Sequence, residues 1–174
     1  VKDIEQKTIK IAGYGSFVSD PLRILRAARF SATLGFTIET KTRDEMKNSA
    51  ALLHEVSGER IMAELLLILK TRHSTSFIKE MDHLGILDVL LPEIPPMKGC
   101  EQNGFHHKDV WEHSLLVAKN CEQVLNDLAT YFGDRAGDVS NNLADNKLPV
   151  LKLAALLHDI GKPLCRGINE ETGR

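Results

Sequence analysis

His158 and Asp159 stand side by side in LAALLHDIGKP, at the end of an apolar run that reads as a helix. An imidazole and a carboxylate are both ligands for a divalent cation. Neighbours on a helix point about 100° apart, so the two side chains reach one ion only if it lies against the helix flank and other helices supply the remaining ligands. His113, in FHHKDVWEHSLLVAKN, precedes Leu115, Leu116 and Val117 on a second apolar segment and is the upstream partner that such a pocket needs. A metal pocket between helices is the chemistry this pattern points to. The other histidines have blander places. His54, His73 and His83 read as surface or hydrogen-bonded core residues, and His106 and His107 as part of a loop before the helix, either exposed or standing behind the ligands. Asp109 reads as an N-cap rather than a ligand. Trp111, the only tryptophan, is expected to pack between helices.

A second polar group lies far upstream, in SDPLRILRAARFSATLGF. Pro21 suits a first helical position behind Ser19 or Asp20 as cap, and Gly35 a helix stop. Leu22, Leu25, Ala28 and Ala32 recur at helical spacing, while Arg23, Arg26 and Arg29 recur every third residue as a drifting basic stripe. By itself such a stripe is most often a solvated or salt-bridged face.

The elements that must position these groups are mostly helical. Residues 1–18 read as a polar lead-in with a β-like run from Thr8 to Ala12 and a glycine turn at Gly13 and Gly15. A polar helix is expected from Lys41 to Leu53. VSGERIMAELLLILK reads as a helix capped by Ser57, with Glu59 in its first turn and Ile61, Leu65, Ile68 and Leu69 on its buried face. Another helix runs from Thr75 to Leu84 and stops at Gly85. In LLPEIPPMKG three prolines within five residues end helical structure and mark a boundary between two helical domains. Beyond it, Val110 to about Tyr131 reads as one long amphipathic helix, GDRAGDVSNNLADNK as a loop, and the last helix opens at Pro149 and ends at Gly161. The fold class is all-α with a short β-like lead-in.

DPLRILRAARF, followed by VSGERI and EL and then by LLPEI, resembles the family of tRNA nucleotidyltransferases and bacterial poly(A) polymerases, which add nucleotides to RNA 3′ ends. His113 with HDIGK resembles the HD superfamily of metal-dependent phosphohydrolases. Some bacterial members of the first family carry the two in this order: a nucleotidyltransferase head, a helical neck and body, then an HD domain. The resemblance implies that residues 1–18 end the head or form a linker, 19–95 form an RNA- and nucleotide-binding neck and body, and 105–174 form an HD domain incomplete at its C-terminal side. It implies that Asp20 and Arg23 read the incoming base. The carboxylate would accept from the exocyclic amine of C or A, and the guanidinium would donate to the ring acceptor beside it. The family's motif has Glu where this chain has Ser19, which removes a carboxylate able to buttress Arg23. Arg26 and Arg29 are expected to support a triphosphate or an RNA backbone. GYGSF is not the family's catalytic Gly-Ser turn, because no Asp-x-Asp follows it, so the catalytic head is expected to be absent.

For the second half, the resemblance implies one or two divalent metals of the Mg, Mn or Ni class on His113, His158 and Asp159, activating a water against a phosphate ester. It also implies 2′,3′-cyclic phosphodiesterase, 2′-nucleotidase and phosphatase activities. Lys162 has two equal readings: a cation favoured at a helix end, or a catalytic contact to a substrate phosphate. A later Asp completes the superfamily's ligand set, and after Asp159 this chain has only Glu170 and Glu171 as acidic residues. The 174 residues alone are therefore expected to hold metal weakly, to hydrolyse little, and to expose the apolar faces of the helices holding His113 and Leu156. The expected partners are a tRNA or other RNA 3′ end and the nucleotides ATP and CTP, with oligomers possible.

Hydrophobic content of 43% and charged content of 26% are those of an ordinary globular protein able to bury a sizeable core. A net charge of -2 and a pI near 6.4 exclude nucleic-acid binding through overall positive charge and leave room for a local basic face. Cys100, Cys121 and Cys165, odd in number and without CxxC, are expected as reduced thiols in a cytoplasm. No stretch is long enough for a membrane helix, and VKDIEQKTIK is no secretory signal. A chain opening on Val1 and closing in ETGR is expected to be a piece of something longer. Two rival functions fit part of the pattern. A stand-alone HD nucleotide phosphohydrolase needs no Asp20–Arg23 pair, and an RNA-binding helical module would carry the metal site as a vestige.

Overall fold

The computed structural model describes residues 2–13, 15–101, 109–144 and 147–165. It is helical almost throughout. The lead-in comprises α1 (Lys2–Glu5) and β1 (Thr8–Ile9), then α2 (Ser16–Ser19) and α3 (Arg23–Leu34). β2 (Thr37–Ile38) returns beside β1 in parallel, with Thr8 opposite Thr37 and Ile9 opposite Ile38. The β-like run is thus shorter than expected, and a helix precedes it. α3 also begins later than expected. A residue before proline avoids the helical region, and Asp20 is extended (φ -154°, ψ 94°). Pro21 and Leu22 form a turn closed by Arg23 N–H on the Asp20 carbonyl, so Arg23 is the first helical residue. Gly35 ends α3 as expected, in the left-handed conformation (φ 66°) that glycine adopts without steric cost.

The polar helix expected to Leu53 divides into α4 (Thr40–Ser49) and a 3-10 helix (Ala50–Glu55). α5 (Gly58–Leu69) follows Ser57, which occupies the N-cap position without a side-chain cap bond. α6 (Ser74–His83) stops before Gly85, and α7 (Ile86–Leu90) follows. Of the three prolines, Pro92 lies in the break after α7, as expected, but the other two do not end helical structure. Pro95 and Pro96 open the short α8 (Ile94–Met97), where the N–H groups they lack would have had no helical partner.

α9 (Val110–Asn126) is capped by Asp109, whose carboxylate accepts from Glu112 N–H at 2.7 Å. The long helix expected to Tyr131 breaks at Asp127, which caps α10 (Leu128–Phe132) through Thr130 N–H. The segment read as a loop holds a 3-10 turn (Gly133–Arg135) and α11 (Ala136–Asn142). α12 (Lys147–Leu157) ends before His158, and α13 (Lys162–Cys165) begins after a turn.

The core is continuous across the proline-rich boundary. α3 packs on α5, α12 lies against both α9 and α5, and α6 contacts α7 and α9. Ile24, Ile68 and Met81 share one cluster with Val110, Trp111, Ala118 and Leu156. Trp111 packs between helices as expected and donates its indole N–H to Asp82 Oδ2 at 3.0 Å. Leu156 itself is buried where α12 packs on α9 and α5, while the helices holding His113 and Leu156 expose apolar side chains as expected, at Leu116 on α9 and at Val150 and Leu151 on α12. Among the described residues no helix is long and apolar enough to cross a membrane.

Candidate metal centre and base-reading face

α9 carries His113 in its first turn, and the turn between α12 and α13 carries His158 and Asp159. Because that turn leaves helical geometry, both residues reach the same point. One potential ligand atom from each of His113, His158 and Asp159 lies within 4.8 Å of the others. Ligand atoms about 2.1 Å from one ion lie roughly 3.0 to 3.4 Å apart in octahedral or tetrahedral geometry, so the widest pair would close by up to about 1.4 to 1.8 Å on binding.

The hydrogen bonds favour a cation here. His158 Nδ1 lies 3.0 Å from the Ala155 carbonyl, which can only accept, so Nδ1 carries the proton. The ring's Nε2 is thereby turned toward Asp159 Oδ2, 3.0 Å away. His113 Nε2 is 3.6 Å from the same oxygen, and the two imidazole centroids are 5.3 Å apart. Oδ2 is buried, and no hydrogen bond of good geometry reaches it. The charge at hand is the Lys162 ammonium, 2.7 Å from Oδ2. Lys162 opens α13 rather than closing the preceding helix, so its place is set by Asp159 and not by a helix C-terminus. Two imidazoles and a carboxylate fit a divalent ion. His106, His107, Glu170 and Glu171 lie outside the described residues.

The base-reading candidates meet near the start of α3. Arg23 Nη1 donates to Ser16 Oγ at 2.8 Å, to the Ser16 carbonyl at 3.3 Å and to Ser19 Oγ at 3.3 Å. Ser19 and Ser16 therefore hold the guanidinium. Arg23 Nε is 3.9 Å from Asp20 Oδ2, and Arg26 Nη1 is 4.0 Å from the same atom. The basic stripe is partly neutralised, because Glu64 of α5, 8% exposed, takes Arg26 Nε at 3.3 Å and Arg29 Nε at 2.6 Å. Arg29 also lies 4.1 Å from the Phe30 ring centre, so Arg23 and Arg26 keep more guanidinium surface than Arg29.

Comparison with known proteins decides the family. Residues 35–97 match a family model described as the probable RNA and SrmB-binding site of polymerase A, and residues 110–173 match the HD domain. Over 99% of its length the chain is 34% identical to the A-adding tRNA nucleotidyltransferase of Deinococcus radiodurans. Over the same share it is 29% identical to the CC-adding tRNA nucleotidyltransferase of Thermus thermophilus. The chain belongs to the tRNA nucleotidyltransferase and poly(A) polymerase family. It spans 37% of the length of each of these two relatives. Its fold is that of a tRNA nucleotidyltransferase solved with a primer tRNA and an incoming ATP analog, at a TM-score of 0.65 and 22% identity over 91% of this chain and 40% of that one.

Within this nucleotidyltransferase segment, Arg60 and Glu64 belong to the VSGERI and EL motif, and the sequence assigned neither a role. Arg60 Nη2 lies 3.4 Å from Asp20 Oδ1, and Glu64 ties the stripe of α3 to α5. The motif at 56–65 thus braces the Asp20 face from the neighbouring helix. Its spacing marked these residues as part of a signature, but only the packing of α3 on α5 shows what they touch.

Proposed function

We propose that this chain is the neck, body and metal-binding front of the HD domain of an enzyme that adds nucleotides to tRNA 3′ ends. Residues 19–95 then form the RNA- and nucleotide-binding part and 105–174 the HD part. The observation that carries the reading is Arg23, fixed by Ser16 and Ser19 beside Asp20 at an open cavity of about 240 Å³. Arg23 and Arg26 line its polar side, and Phe17, Ala27 and Phe30 its apolar side. The wall offers a base a guanidinium donor and an apolar surface, and Asp20, 3.9 Å from Arg23 Nε but not itself lining the cavity, is the nearby carboxylate acceptor that would favour C or A over U or G. ATP and CTP are the nucleotides this chemistry favours, and a tRNA 3′ end is the partner.

The HD part is read as a phosphohydrolase centre on His113, His158 and Asp159. A divalent ion bound there supplies an activated water for attack on a phosphate ester. Mixed nitrogen and oxygen donors suit Mn or Ni better than Mg, which prefers oxygen alone. The Lys162 ammonium, 2.7 Å from Asp159 Oδ2, stands beside the triad where a substrate phosphate would meet it. A soluble, cytoplasmic enzyme suits these substrates.

RNA contact through phosphates makes a quantitative prediction. Around Asp20 and Glu64 stand Arg23, Arg26, Arg29 and Arg60, four positive charges against two negative, a formal +2. Neutralising two phosphates should make log affinity for tRNA fall against log salt with a slope of about 1.4 to 1.8. Binding titrations between low and physiological salt should show this fall. An affinity that does not change with salt would remove RNA phosphates from the account.

A further inference from the structure

Where α9, α12 and the corner between α5 and α6 meet, a buried polar cluster sits outside both sites. Lys152 is 3% exposed, Glu122 8% and Ser74 1%. The Lys152 ammonium donates to the Thr71 carbonyl at 2.8 Å, to Ser74 Oγ at 3.2 Å and to Glu122 Oε2 at 3.4 Å, so each of its three protons has an acceptor. The same Glu122 oxygen accepts from the Ser74 hydroxyl at 2.6 Å and from Thr75 N–H at 3.0 Å. Burial pushes the Lys152 ammonium below the ordinary lysine range, and the Glu122 carboxylate opposes that push.

A buried ion pair is a poor way to gain stability, since apolar residues of the same volume often do as well or better; its best-attested use is to fix register. α12 needs such a device. Its sequence, KLPVLKLAALL, is apolar almost all round, with Val150 and Leu151 exposed while Leu156 is buried. Hydrophobic burial therefore does little to select which side of α12 faces α9. Lys152 is the one charged residue in the interior of this helix, and it finds its acceptors in one rotation only. A slip of one residue would turn the helix by about 100° and carry away the turn that follows it. That turn begins six residues after Lys152, at His158.

We propose that Lys152 and Glu122 are positioning residues for the metal centre, setting the rotation of α12 against α9 and so bringing His158 and Asp159 to His113. The inference rests on reading that triad as a metal site.

The test uses the 174-residue chain and the double variant Lys152→Met with Glu122→Leu, which replaces the pair by apolar groups. Three quantities are measured: the thermal midpoint, the nuclear Overhauser contact between the His113 and His158 rings, and Co2+ affinity. The double variant should keep a wild-type midpoint, lose the ring contact, and bind Co2+ more than about tenfold more weakly. A folded double variant with the wild-type contact and Co2+ affinity overturns the proposal. If the double variant does not fold, Lys152→Arg and Lys152→Met decide. The arginine variant should keep the contact and the methionine variant lose it with its helix content intact. A contact unchanged in both overturns the proposal. A wild-type chain that shows the contact yet takes up no Co2+ rejects the metal reading, and the contact in the variants still decides the register.

Discussion

Arg23→Ala, made in the full reading frame that contains this chain, should lose most of its discrimination among ATP, CTP, GTP and UTP while tRNA affinity changes little. Arg23 is held by three hydrogen bonds to Ser16 and Ser19, so its guanidinium is presented in one orientation beside Asp20. A paired donor and acceptor of this kind is worth about 1 to 3 kcal/mol of discrimination against the wrong base. Removing the guanidinium also leaves Asp20 to Arg60 and Arg26. Selection should therefore fall by roughly 5- to 150-fold, read as the ratio of incorporation rates for the four nucleotides. Arg26, Arg29 and Arg60 remain to meet RNA phosphates, so selection should fall more than tRNA affinity. Unchanged selection would remove Asp20 and Arg23 from base reading.

His158→Ala should abolish metal binding and, in the full reading frame, reduce phosphoester hydrolysis to background. Substitutions behind the ligands of a metal site typically cost about 10- to 100-fold in affinity, and removing a ligand itself should cost no less. His158 also has a defined tautomer, because Nδ1 is committed to the Ala155 carbonyl. The Ala variant leaves one imidazole and Asp159, and the Lys162 ammonium then competes for that carboxylate without opposition. Calorimetric titration with Mn2+ or Ni2+ reads the first effect, and release of phosphate from a 2′,3′-cyclic or 2′-phosphate nucleotide reads the second. Full hydrolysis by the 174 residues alone would show that the ligand set has been assigned wrongly, since among the described residues only three potential ligands converge.

The chemistry of the second half was legible from residue types and order: His113, His158 and Asp159 converge as their pattern suggested. Their backbone was not. An apolar run into HDIGK reads as one helix to Gly161, whereas α12 stops at Leu157 and the ligands occupy a turn. Hydrophobic pattern reports burial and says little about where a helix yields to side-chain geometry. Pro95 and Pro96 misled in the same way, since first-turn prolines leave a helix intact, whereas Pro92 does fall in the break after α7. The arginine stripe shows a different limit. Its spacing is visible in sequence, but its pairing with Glu64 depends on α5 folding back on α3, a contact 35 residues away from Arg29. Lys152 is the clearest case, because a lysine inside an apolar helix reads as exposed, and its acceptors lie on two other segments.

The most direct test measures tRNA affinity and bound divalent metal on one sample of this 174-residue chain. The account predicts salt-sensitive tRNA binding, weak metal uptake that disappears in His158→Ala, and a tRNA affinity that a chelator leaves unchanged. Metal uptake without tRNA affinity would contradict it in favour of a stand-alone phosphohydrolase, and tRNA affinity without metal uptake in favour of an RNA-binding module whose metal site is vestigial.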